Sequence, residues 1–444
     1  MHRAQRRGKA CTIRGCRGSD PDVTERVDVA VVGAGAAGLM AAIQARRAHP
    51  RNRVRLLDGA RTLGAKILVS GGARCNVTHH EVDETAFAGS SPKAIRKVLR
   101  RFGVAETVAF FRDLGVALKK EETGKLFPAT DRARTVLDAL LGAAREAGVE
   151  IRHPWRVTGI ESVSDGFRLA SPGADPLEAG RVVVATGGRS LPKTGSDGGG
   201  YALVRGLGHS LTPRIFPGLV PLTLPRDHAL CGLSGLSAPA TLEVRTAAGR
   251  RLASFTGSTL CTHFGLSGPA VLDISRYLID ARLDDAGARL VASWLPGEDP
   301  DELERTVRGL GPQTIGRWLG RRLPERLARA LCSAAGVDWG LPGHQLTREA
   351  RRALVRTLTV MDLPVTGDRG FGVAEVTAGG VPLAELDLDT MESRLRPGLW
   401  LCGEICDVDG RVGGFNFQWA WASGYVAGVS VGASTAGAST RPVR

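Results

Sequence analysis

An α/β fold built on a doubly wound parallel sheet and interrupted by a long insertion is predicted by three features of this 444-residue chain. The first is a strand, a glycine-rich turn and a helix in immediate succession over residues 27–48. The second is an apolar strand that runs into Gly187-Gly188. The third is another strand, turn and helix over residues 399–428, separated from the second by a stretch of different pattern. Composition agrees, because 43% hydrophobic residues with 58 glycines and 5% aromatics suit a turn-rich α/β enzyme rather than a disordered or fibrous chain. The length allows two or three domains.

The first stretch organises the rest. Val27 to Val32 has the apolar character of a buried strand, and the run to Ala48 holds Ala, Leu, Met and Ile without a breaker. Gly33, Gly35 and Gly38, with Ala34, Ala36 and Ala37 between them, fill a G-x-G-x-x-G pattern. The first glycine suits a tight turn, the second lets backbone approach a pyrophosphate, and the third allows close helix–strand packing. The phosphates would sit on the helix N-terminus, where free N–H groups and the dipole favour negative charge. A second strand, residues 53–57, ends in Asp58, placed to take the hydroxyls of an adenosine ribose. A plain glycine-rich turn would share the glycines but not the strand, helix and acid around them, so the reading is a Rossmann-like dinucleotide site.

Charge and cysteine usage narrow the class. The formal net charge of +14 would suit an RNA or membrane partner. The basic residues are spread along the chain as on a solvated surface, however, and no nucleic-acid recognition module is visible. No apolar run is long enough to cross a bilayer, and the basic N-terminus has no apolar segment of a secretory signal, so a cytoplasmic protein is expected. Eight cysteines, at 11, 16, 75, 231, 261, 332, 402 and 406, lack the paired clusters of a zinc module, which leaves reduced, structural thiols and no metal site.

In chain order, residues 1–24 look like a flexible basic extension. The segment GARTLGAKILVSGGARCNVTHH after Asp58 is too long for a simple turn and is of the kind that wraps a ligand. Lys66 and Arg74 are positioned to neutralise phosphates, and Gly71, Gly72 and Asn76 to grip a polar ring edge, whereas surface charge is the plainer role for the two cations and a small buried side chain for Cys75. Residues 92–147 read as three helices with a hairpin or loop before the last. From Asp197 to about Tyr277 short Thr-, Val- and Leu-rich runs split by Gly and Pro suggest a β-rich insert, perceived as a small barrel, and residues 301–356 read as helices. Within the insert, THFGLSGPAVL places His263 on a shaped loop at a domain junction, a candidate proton carrier if it is not a turn or packing residue. Finally, Leu399 to Cys402 is a strand, Gly403-Glu404 a turn with an acid, and Asn416 onward a small-residue helix beginning after Gly414. A nicotinamide dehydrogenase has no evident need of this second acid and second helix N-terminus. A flavin does, since Glu404 suits its ribityl or pyrophosphate region and the helix would aim N–H donors at the pyrimidine edge.

In these segments the chain resembles the HI0933-like, or YhiN-type, flavoprotein family, also described as NAD(P)/FAD-dependent oxidoreductases or the aminoacetone oxidase family. The resemblance rests on VVGAGAAGLMAA, GAKILVSGGARCNVTH, LFPATD, ATGGRSLPKTGSDGGGYALVRGLGH, THFGLSGPAVL and GEICDVDGRVGGFNFQWAWASG. It implies an FAD domain in two pieces around an inserted barrel-plus-helices domain, which with the composition shifts gives residues 25–196 and 366–430 around 197–365; residues 431–444 read as a flexible tail. It also implies that Gly33 to Gly38 and Asp58 hold the ADP half, while Lys66, Gly72, Arg74, Cys75, Asn76, Gly187, Gly188, Gly403, Glu404, Gly414, Phe415 and Asn416 line the rest. Three positions depart from the family pattern: Ala65 for the usual Arg, Ala73 for Gly and His79 for Asn. The expected function is an FAD-dependent oxidoreductase moving hydride between a small organic substrate, or reduced NAD(P)H, and the flavin. A flavin-free nicotinamide dehydrogenase and a basic nucleic-acid-associated flavoprotein are the alternatives, and no substrate can be read.

Overall fold

The structure, a computed structural model, describes residues 25–434. The basic extension at 1–24, with Cys11 and Cys16, and the end of the expected tail lie outside those residues. A five-stranded parallel core runs in the spatial order Glu150–Arg152, Val54–Leu57 (β2), Arg26–Val32 (β1), Ala174–Val184 and Leu399–Leu401. Strand β1 lies at the centre because its side chains are buried on both faces: Val29, Ala30 and Val31 are all fully enclosed. The chain leaves β1 toward β2 on one side and returns on the other with Ala174–Val184, which makes a topological switch point beyond the carboxyl ends of these strands.

Two helices fix the distant parts of this domain together. Helix α1 (Ala36–Ala48) follows β1, and the closing helix Phe415–Ala433 lies against it. The contact is backbone on backbone: a Cβ added at Gly424, Gly428 or Gly432 would stand 2.5, 2.4 or 2.5 Å from the carbonyl oxygens of Ala37, Ala41 and Ala45. Small residues repeating every fourth position on both helices therefore bring two segments nearly four hundred residues apart into register. The closing helix runs to Ala433, through the first residues of the expected tail.

The insert has its own core, from Leu222 to Val365. Seven antiparallel strand segments form its sheet, whose end strands Met361–Leu363 and Gly367–Asp368 are joined by only three residues, so the sheet must curl until its edges meet. Four helices within 300–359 cover it. Two details differ from the sequence reading. Helix Gly199–Gly206 packs Tyr201, Leu203 and Val204 into the first core, so it stays with the parallel sheet. Residues 269–277, read as the end of the β-rich run, belong instead to a 16-residue helix, Pro269–Asp284, that buries Val271, Ile274 and Leu278 at helical spacing. Its β-branched residues and flanking glycines imitate strand composition, and tertiary burial overrides them.

No helix among the described residues is long and apolar enough to cross a membrane. All six described cysteines are free and buried. Burial pushes the Cys75 and Cys402 thiols up to about 12, which keeps them protonated and inert.

Candidate active site: a cavity at the strand ends

One cavity of about 690 Å³ opens beyond the carboxyl ends of the parallel strands. Its lining takes in Gly33, Ala34, Gly35, Ala36, Ala37, Asp58, Lys66, Gly72, Arg74, Asn76, Gly187, Gly403, Glu404, Gly414 and Asn416. Five of the predicted residues stand outside it. A Cβ on Gly38 would come within 1.8 Å of the Gly33 carbonyl oxygen, and one on Gly188 within 2.5 Å of Thr377 Oγ1, so both serve packing. Cys75 is fully buried and Phe415 packs on His79 and Phe87. His263 is exposed on the turn between two insert strands, with Phe264 as its ring neighbour, and the structure does not bring it to the cavity.

The first turn shows how the glycines divide the work. A Cβ on Gly33 would meet the Ala185 carbonyl oxygen at 2.4 Å, which is the crossing of β1 and Ala174–Val184. A Cβ on Gly35 would meet no protein atom within 4 Å, and its φ of −82° is open to any residue. Only something bound in the cavity requires a glycine there. Both helix N-termini at the cavity, at Gly35 and at Gly414, lack a side-chain cap, so their first N–H groups remain free for an anion or a carbonyl.

Asp58 stands at one end. Its oxygens accept from Ala34 N at 2.6 Å and Ala60 N at 2.7 Å, so it holds the glycine turn, and each oxygen keeps a lone pair for a hydroxyl. Trp155 and Arg156 lie beside it, with Arg156 paired to Asp197 at 2.8 Å; the sequence reading passed over all three. Midway, Lys66 Nζ donates to Glu404 Oε2 at 2.8 Å and to Ser190 Oγ at 2.8 Å. Glu404 Oε1 in turn accepts from Ser190 Oγ and from Thr377 N. Lys66 is thus the partner of Glu404 rather than a free phosphate ligand. Arg74 is likewise committed, to Glu121 at 2.6 Å and over the Phe127 ring at 4.0 Å.

The kinked helix α2 (Ala65–Ala73) supplies the loop between them. Gly71, Gly72 and Ala73 follow one another at φ of 55°, 68° and 65°, and Cys75 adds 61°. Such a run turns successive N–H groups to one side, the concave form that binds anionic or carbonyl groups. Asn76, at its end, has a buried side-chain oxygen with no partner among the described residues. Asn416 clamps its own turn, with Nδ2 to Gly410 O and Oδ1 from Gly410 N, both 2.8 Å, and offers the cavity backbone instead.

At the other end the insert closes the cavity with Leu219, Pro269 and Leu272, opposite Val373, Glu375, Arg411 and Val412, with Lys125 and Phe127 from the hairpin before the third long helix. Asp273 on helix Pro269–Asp284 accepts from Val412 N at 2.8 Å and faces Arg411 at 3.4 Å, while Arg276 one turn on pairs with buried Asp409 at 2.5 Å. Burial raises the Asp273 carboxyl, and the Val412 N–H and Arg411 act against that rise. Glu375 is open to the cavity yet surrounded by protein. Desolvation pushes its carboxyl above the usual range, against the pull of the Lys125 charge.

These features fit FAD. The cradle at Gly35 and Gly72, where an added Cβ meets nothing within 4 Å, the orphaned Asn76 oxygen and the two uncapped helices match a pyrophosphate at one end and a polar ring edge at the other. A Rossmann-type flavoprotein is therefore the class that fold and cavity define. The chain belongs to the family described as HI0933-like protein Rossmann domain, whose model matches residues 27–430. It is similar to the 3-dehydro-bile acid delta(4,6)-reductase of Clostridium scindens, with 34% identity over 405 residues covering 90% of this chain and 98% of that one. It is also similar to the ribosomal RNA dihydrouridine synthases of Escherichia coli, at 35% identity over 90% of this chain and 97% of that one, and Haemophilus influenzae, at 30% over 90% and 97%. The protein is an FAD-dependent oxidoreductase.

Proposed function

We propose that this oxidoreductase saturates a carbon–carbon double bond conjugated to a carbonyl, in a small and largely apolar substrate held between the insert and the flavin, with reduced NAD(P)H as electron donor. The carrying observation is the far end of the cavity, where Leu219, Leu272, Val373 and Phe127 form apolar walls around Lys125, Glu375 and Arg411. Apolar walls with a few convergent polar groups are what a small-molecule site needs. Bound FAD would accept hydride from the nicotinamide and give it to the substrate. The chain's own part is to hold Asp58, Lys66–Glu404 and the two helix N-termini against the cofactor, to exclude water with the insert, and to polarise the substrate carbonyl with Lys125 or Arg411. Both names borne by the relatives describe reduction of such a bond, in a bile acid or in uridine. Free, buried cysteines support a reducing, cytoplasmic setting.

The test is to reduce the FAD-loaded protein anaerobically with NADH or NADPH and mix it with a panel of 2-enones. Rapid flavin reoxidation by an enone supports the reading, and reoxidation by oxygen alone contradicts it. A second reading, reduction of uridine within RNA, is favoured by the net charge of +14. It predicts dihydrouridine formed in an RNA transcript at a rate that falls steeply with salt.

A further inference from the structure

The acids that line the cavity are Asp58, Asp197, Glu375 and Glu404. Three of them are already engaged: Asp58 by two backbone amides, Asp197 by Arg156, and Glu404 by Lys66, Ser190 and Thr377. Glu375 alone has no hydrogen-bond or ion-pair partner for its side chain among the described residues. Lys125, whose charge reaches it, likewise forms no ion pair among them. The backbone at Glu375 is held in place, since its N–H donates to Leu219 O at 3.2 Å and its carbonyl accepts from Ser190 Oγ at 3.4 Å.

Glu375 stands in the bend that leads directly into strand Val376–Ala378. Thr377, two residues on in strand Val376–Ala378, turns its hydroxyl toward Gly188, where it accepts from Arg189 N at 2.7 Å and Ser190 N at 3.0 Å, and its amide meets Glu404. Glu375 itself lines the cavity and is exposed to it, between buried Ala374 and Val376. A free carboxyl on a backbone held by two hydrogen bonds, next to an unpaired ammonium and against the apolar walls of the insert, is the arrangement of a general acid.

We propose that Glu375 is the proton donor of the reduction, delivering its proton to the substrate carbon next to the carbonyl, and that Lys125 is a positioning residue that holds the carboxylate left behind. This rests on the reading of the protein as an enone reductase. In the balanced step, the carbon–carbon π bond would break as hydride, which bound reduced FAD would supply, formed a C–H bond at the carbon remote from the carbonyl. The electron pair that moves to the adjacent carbon takes the Glu375 proton, and solvent water reprotonates the carboxylate once the product has left. Desolvation of Glu375 supports this, because it favours the protonated form from which a donor must start.

The experiment compares the parent, Glu375→Gln, Glu375→Asp and Lys125→Met, each loaded with FAD, reduced anaerobically with dithionite and mixed with 2-cyclohexenone across a pH series. Glu375→Gln is expected to slow reoxidation by about 100- to 10,000-fold and to erase the loss of rate at high pH, with reduction by NAD(P)H unchanged. Glu375→Asp should keep part of the rate and the alkaline limb. As a readout independent of turnover, the infrared difference between parent and Glu375→Gln should contain a protonated-carboxyl band that fades as pH rises. Parent-like reoxidation and pH profile in Glu375→Gln, or no such band, overturns the assignment while leaving the enone reading standing. A parent that reduces no enone at all overturns the enone reading itself.

Discussion

Lys66 and Glu404 are partly buried, 27% and 18% exposed at the side chain, and each is the other's charge partner. Removing one leaves the other uncompensated at the wall of the cavity we propose for FAD. Lys66→Met is therefore expected to weaken FAD binding by about 1–3 kcal/mol, and Glu404→Gln by a similar amount. The double variant should lose less than the sum, because the pair acts as a unit. Additive losses in a fluorescence titration of FAD would show that the two residues contact the cofactor independently. Ala73 makes a different prediction. It holds φ of 65° with a Cβ, where the family pattern has glycine, and left-handed backbone costs such a residue about 1–2 kcal/mol. Part of that is offset in the unfolded chain, so Ala73→Gly should stabilise the protein by about 0.5–1 kcal/mol in thermal unfolding. A destabilised variant would contradict the loop geometry.

At the scale of elements, the site depends on how the closing helix meets α1. The Gly424, Gly428 and Gly432 stripe lets the helix sit on the Ala37, Ala41 and Ala45 carbonyls, and that approach sets where Gly403, Glu404 and the free N-terminus at Gly414 arrive. Gly428→Val puts carbon atoms where the Ala41 carbonyl already lies, so the helices must separate. Overpacking of this kind costs about 1–3 kcal/mol, with the upper end expected against backbone. FAD retention should fall with stability, and a variant with parental melting temperature and flavin content would refute the packing. The fourfold spacing of these glycines is visible in the sequence, but a spacing does not say which helix it faces. Strands β1 and β2, the G-x-G-x-x-G turn and Asp58 were legible because periodicity, turn chemistry and an acid coincide within about thirty residues. Helix Pro269–Asp284 was not, and with it went Asp273 and Arg276. Glu375 and Lys125 carry no local signal at all, since only the fold brings residues 125 and 375 to one wall.

For the whole molecule, the junction of insert and parallel-sheet domain is charged as well as apolar. Arg276 reaches from the insert to Asp409, and Asp407 lies two residues away with Ser90 Oγ at 3.4 Å. Burial first, and the neighbouring Asp409 second, push the Asp407 carboxyl up to about 6, while Arg276 and Ser90 act to lower it. The folded protein then holds this proton more tightly than the unfolded chain does. The resulting stability is fully present below about pH 4 and is lost as pH rises through 6, roughly 3 kcal/mol in all. Asp407→Asn should flatten that dependence and be more stable than the parent at pH 8 in urea unfolding. A steeper dependence in the variant would contradict the burial.

Whether the cavity at the strand ends holds FAD is tested most directly at Gly35. Its backbone conformation is open to any residue, and a Cβ built there, on the cavity wall, meets no protein atom within 4 Å. Gly35→Val should therefore fold with the parental melting temperature when both are stripped of cofactor. Titrated with FAD, the parent should take up one equivalent and the variant essentially none. FAD binding by Gly35→Val with parental affinity would place the cofactor elsewhere and contradict the account.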